Sequence, residues 1–141
     1  MKEIIFKNKI RLILLFILFS IILFFAFDKI PRSVKGQDIL SYTLNGKTYR
    51  LMVANTEAER EKGLMFYRKL DNVDGMIFLF NDRQYRSFWN KNTFMNLDLY
   101  WLDEDQVVGK SYLPSIEISK DIVNVNSPSE VNKVIELPHG K

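Results

Sequence analysis

At 141 residues the chain has room for one globular domain once an apolar N-terminal segment is set aside. The absence of cysteine excludes thiol nucleophiles, disulfides, thiolate metal sites and a lipid-modified cysteine anchor, and a single histidine, His139, leaves a histidine-rich metal centre or a catalytic triad without material. The net charge of +3 belongs to the leader: residues 1–37 carry seven Lys/Arg against two Asp/Glu, and residues 38–141 carry thirteen against fifteen, so the folded part lacks a nucleic-acid footprint.

Leu12 to Phe27 is an uncharged run of sixteen residues behind Lys2, Lys7, Lys9 and Arg11. Its length falls between a signal-peptide core of about 7–15 residues and a membrane span of roughly 17–25. The downstream Ala26-Phe27-Asp28-Lys29 lacks the small-x-small pattern of a cleavage site. Arg11 and Lys29 have stems long enough to snorkel and extend the span. The run is apolar on every face, which argues against a core helix. The expectation is an uncleaved, single-pass membrane anchor at residues 12–27 in contact with the lipid bilayer. The basic upstream flank predicts a cytoplasmic N-terminus and an extracytoplasmic domain at the cell membrane. Residues 28–37, with Pro31, Ser33 and Gly36 among charges, read as a linker.

Folded structure is expected over residues 38–141. Asn45-Gly46 between Ile39–Leu44 and Lys47–Ala54 is a strong hairpin signal, because a type I′ turn needs positive φ at both central residues. Thr56-Glu57-Ala58-Glu59 has the capping-box pattern and Gly63 stands where a helix would stop, which predicts one short helix over 57–62. Gly75–Phe80 is a continuous apolar run of the length of a strand buried on both faces. Tyr85–Trp89, Met95–Leu102, Gln106–Leu113, Glu117–Ser119 and Val131–Leu137 are further strand candidates. Many short strands with one short helix predict an α+β, mainly β domain, with a small barrel-like antiparallel sheet.

Several motifs occur in a fixed order: Ala54-x-Thr56, Gly63-Leu64-Met65-Phe66, Gly75-Met76-Ile77-Phe78-x-Phe80, Phe88-Trp89-x-Lys91-Asn92-Thr93, Leu97-Asp98 and Val134-Ile135-Glu136-Leu137-Pro138-x-Gly140. Together they resemble the DUF192 (UPF0127) family over residues 47 to 140. The resemblance implies a compact, mainly β domain, often exported or membrane-anchored, and implies no activity. Asn90 replaces a usual Met, and Asn96 a usual Pro. Family domains tend to continue past Pro-x-Gly with a short helix and a last strand, whereas this sequence stops at Lys141, so a shortened C-terminus or a missing edge strand is expected.

The segment Ser87–Asp98 concentrates aromatics, a lysine, three amides and a carboxylate in twelve residues. On a strand, Met95, Leu97, Leu99 and Trp101 share one face and Asn96, Asp98 and Tyr100 the other. Aspartate is unfavourable in strands, so Asp98 implies a specific partner or a polar pocket; the simpler role is capping the amides of residues 90–93. Lys91, Asn92 and Thr93 offer charge, amide and hydroxyl on one turn, where functional residues concentrate and where Asn and Thr also serve local hydrogen bonding. Most aromatics are needed for the core; Tyr67, Trp89 and Trp101 have polar tips that suit a cleft. Asp71, Asp74, Asp82 and Asp103–Asp105 match no calcium-loop spacing, so neither metal nor cofactor is expected. The candidate ligand-binding residues are Trp89, Lys91, Asn92, Thr93 and Asp98. They suit a non-enzymatic envelope module binding a small molecule, glycan or protein. The alternative is a hydrolase or isomerase with Asp98 as base and Lys91 or Asn92 stabilising negative charge.

Overall fold

Asn45 and Gly46 take φ of 50° and 80° and close a hairpin between strands β1 (Ile39–Leu44) and β2 (Lys47–Ala54), as the turn dipeptide predicts. This computed structural model describes residues 37–141, so the anchor expected at 12–27 and the linker up to residue 36 lie outside the described residues. Among the described residues no helix is long and apolar enough to cross a membrane.

Helix α1 (Glu57–Lys62) starts at Thr56, whose hydroxyl accepts from the Glu59 amide while the Glu59 carboxylate accepts from the Thr56 amide. This reciprocal cap satisfies amides that have no partner within the helix. A loop then leads into β3 (Gly75–Gln84), followed by β4 (Ser87–Trp89), β5 (Leu97–Asp103) and β6 (Gln106–Leu113). Glu117–Ser119, expected as a strand, lies in a single helical turn, α2 (Ile116–Ser119), capped by the Ser115 hydroxyl. Local capping decides this segment, because the Ser115 hydroxyl satisfies the Ile118 amide that opens the helical turn. β7 (Asn124–Asn126), too short and polar to register as a strand in the sequence, pairs with β4, and β8 (Val131–Pro138) ends the fold.

Six strands form one sheet in the order β1-β2-β3-β8-β5-β6. The domain is mainly β, as expected, but the sheet is neither purely antiparallel nor a closed barrel. β2 and β3 are parallel, with Val53 opposite Ile77, because α1 and its following loop carry the chain back to the starting end. The edge strands β1 and β6 do not pair with each other. The Tyr42 hydroxyl donates to Asp105 Oδ1 at 3.0 Å and ties β1 to the β5–β6 turn without closing the sheet.

Both faces of the sheet are buried. Leu44, Tyr49, Leu51, Val53, Ile77, Leu102, Ile135 and Leu137 pack on one. The alternate residues Met52, Met76, Phe78, Leu97, Leu99, Trp101 and Val134 fill the other, under α1, β4 and the loops around them. There Phe78, Phe88 and Trp101 stack edge to face, with centroids 4.8 and 5.6 Å apart. Trp101, a cleft candidate by its polar tip, is instead fully buried, its indole N–H bonded to Ser111 Oγ at 2.8 Å. Gly75 is required by approach: a Cβ there would stand 2.0 Å from the Glu136 carbonyl oxygen of the neighbouring strand.

Candidate functional site

The segment after β4 is a braced turn. Asn90 is fully buried, and its amide group donates to the Pro114 carbonyl at 2.9 Å and to Ser119 Oγ at 2.7 Å, while its oxygen accepts from the Val123 amide at 2.8 Å. A methionine could make none of these bonds, so the polar residue joins β4 to α2 and the approach to β7. Asn92 takes φ of 54°, a region asparagine tolerates, and its carbonyl accepts from the Phe66 amide at 2.8 Å. Thr93 is buried, donating its hydroxyl to the Lys91 carbonyl and accepting at its own carbonyl from Ile116 N. Lys91 Nζ lies 4.9 Å over the Trp89 ring, which is 40% exposed.

Trp89 forms part of an open cleft of about 410 Å³ between α1 and the β3–β4 region, with Phe80, Tyr85, Phe88, Arg60 and Arg86. Arg60 and Arg86 both stack on Phe80, at 5.1 and 3.9 Å. Arg60, Glu61, Phe88 and Trp89 also line a narrow pocket of about 20 Å³ that reaches Gly63, Phe78, Thr93 and Glu136. That volume admits one water or one ligand hydroxyl. Glu136 is buried and its Oε2 has no hydrogen-bond partner. Burial alone pushes its carboxyl up to about 8, so at neutral pH it is mostly a neutral acid that can both donate and accept.

Asp98 lies on the other face. It neighbours Leu99, which stands opposite Glu136 across β5 and β8, and adjacent strand residues point to opposite sides. Its Oδ1 is 2.8 Å from His139 Nδ1, and its Oδ2 is 3.0 Å from Lys110 Nζ and 3.4 Å from the Gly140 amide. Burial pushes this carboxyl up, but the bonds from His139, Lys110 and Gly140 outweigh it and hold the group below the usual carboxylate range. The same ion pair raises Lys110.

The five candidate residues therefore divide. Trp89 and Thr93 line the narrow pocket with Glu136, Lys91 lies over the indole, and Asn92 contributes through its backbone. Asp98 is bonded by Lys110 and His139, not by Lys91, Asn92 or the amides of residues 90–93. Glu136, Lys110 and His139 join these arrangements without being among the residues that the sequence points to. Glu136 had the same signal as Asp98, a carboxylate inside an apolar strand, while His139 had none beyond being unique. Among the described residues no group of three His, Asp or Glu side chains converges as a metal site would require.

Residues 40–141 match the model of the DUF192 family, described as an uncharacterized ACR. A crystal structure of a protein of unknown function from Novosphingobium aromaticivorans DSM 12444 is similar at 28% identity and a TM-score of 0.64, covering 77% of this chain and 79% of that one. A second, from Sinorhizobium meliloti 1021 and named a "putative transcription regulator", shares 28% identity with a TM-score of 0.58, covering 72% of this chain and 79% of that one. No curated protein matches the chain.

Proposed function

The chain belongs to the DUF192 family, and from that premise we propose that residues 38–141 are a ligand-binding module held outside the cell membrane by an anchor at residues 12–27. The uncharged run and its basic upstream flank support the anchor and its orientation. Protease added to intact cells is expected to digest the domain and leave the leader protected. A soluble mature protein beginning near residue 28 would replace the anchor with a cleaved signal.

The observation that carries the binding role is the buried Glu136 carboxyl, its Oε2 unpartnered, in a narrow pocket that it shares with the half-exposed Trp89. A buried polar group without a partner costs stability, and a fold that keeps one at the bottom of an opening offers it to something else. An aromatic face, two arginines stacked on Phe80 and a carboxyl able to donate and accept suit a small polyhydroxylated ligand such as a glycan. The slight acidity of residues 38–141 gives no support to a nucleic-acid role.

Oligosaccharides screened by thermal shift on the full chain are expected to yield a ligand that stabilises the parent and loses its effect in Trp89→Ala. Equal stabilisation of both proteins would put the site elsewhere. The enzymatic alternative loses the pairing it was built on, since Lys91 lies over Trp89 and Asp98 is held by His139 and Lys110. Turnover abolished in Asp98→Asn while binding persists would restore it.

A further inference from the structure

A second opening, distinct from the Trp89 cleft, lies where the loop after α1, the chain entering β5 and the chain leaving β8 meet. It is an open cavity of about 430 Å³ whose wall includes Arg68, Lys69, Phe94, Asn96, His139 and Lys141, and no acidic residue. We propose that this cavity binds the phosphate-type oxyanion of a phosphate monoester, with His139, held in place by Asp98, as its central contact.

The imidazole is oriented from behind. Nδ1 is 2.8 Å from Oδ1 of a carboxylate that is itself buried and fixed by Lys110 and Gly140, and the ring packs edge-on to Tyr112 with centroids 4.8 Å apart. Nε2 is thereby left as the ring nitrogen available to a ligand. A carboxylate holding one nitrogen of a histidine while the other meets a ligand is an arrangement that sets both tautomer and direction. A phosphate monoester, with a second pKa near 6, can bring the proton that an Nε2 contact needs.

The cationic wall is also arranged. Arg68 stacks over Phe94 at 4.4 Å, which holds its guanidinium plane at the cavity. Arg68, Lys69 and Lys141 have acidic partners in Glu117, Asp71 and Asp74, but none of those carboxylates lines the cavity. The pairs of Arg68 and Lys69 are well exposed, with those two side chains 66% and 79% accessible, so exchanging such partners for an oxyanion costs little. The planar arginine fork on the same wall supplies donors that match tetrahedral oxygens, while the imidazole Nε2 meets the oxygen that carries the proton.

His139 is the chain's single histidine, so its Cε1–H resonance reports on this site without ambiguity. Inorganic phosphate is titrated into the full chain at constant ionic strength, with chloride as the balance, and vesicles of phosphatidylcholine with and without phosphatidic acid form a second arm. A saturable shift of the His139 signal with phosphate, weakened about tenfold or more in Arg68→Ala/Lys69→Ala, is expected from the loss of charge-assisted hydrogen bonds. Both replaced side chains are mostly exposed, so the double variant keeps the fold. A response to phosphatidic acid vesicles alone would identify the anion as a lipid headgroup. No response in either arm, or one of equal affinity in the double variant, overturns the proposal. Trp89→Ala should leave the response unchanged, which separates this cavity from the cleft.

Discussion

Phe78→Ala is expected to cost about 3–5 kcal/mol, read as a lower denaturant midpoint than the parent's. Phe78 is 1% exposed on the central strand β3 and stacks edge to face on Phe88, itself stacked on Trp101. Truncation leaves a cavity that strands on both sides hold open, so the lost contacts are not recovered by collapse. Phe78 also walls the pocket above Glu136, so the variant should loosen the cleft as well as the core. An unchanged midpoint would mean that this face of the sheet is not the part that holds the domain together.

Stability is expected to fall as pH rises from about 4.5 to about 8, and Glu136→Gln is expected to abolish that fall. Burial raises the folded-state value of Glu136 from 4.5 to about 8, so the folded protein keeps a proton that the unfolded chain releases in this window. The contribution is complete below the unfolded value, declines as pH rises towards the folded one, and is constant beyond it. At 1.36 kcal/mol per unit the loss has a ceiling of about 5 kcal/mol. Asp98 and Asp74 act in the opposite sense, since their folded values are lowered; they stabilise above the ordinary carboxylate range and lose that effect in acid. The two windows are separate, so denaturation at pH 5, 7 and 9 isolates Glu136. A parent as stable at pH 9 as at pH 5 would show that the carboxylate is solvated.

The local features of the fold were legible because short-range chemistry produces them. Asn45-Gly46 adopts positive φ wherever it occurs in a tight turn, and Thr56 with Glu59 caps a helix from residues three apart. The alternation in Leu97–Trp101 assigns each side chain to its observed face without reference to any partner strand. Asp98 stands out in the sequence because an aspartate in a strand needs a reason. Its reason was not legible, since His139 and Lys110 reach it through strand pairing and one of them lies forty-one residues away in sequence.

Sequence alone determined the mainly β character, the strand and helix limits near the N-terminus of the domain, and the anomaly of a carboxylate amid apolar residues, because these follow from period, turn chemistry and composition. Tertiary structure decided that β2 and β3 run parallel, that the sheet stays open, and that Trp89 shares its cleft with Glu136 and not with Asp98. Leu99 opposite Glu136 places the two carboxylates on opposite faces of one sheet. Strand register sets that relation, and a change of one residue would exchange the faces, with no mark of it in either strand's own sequence.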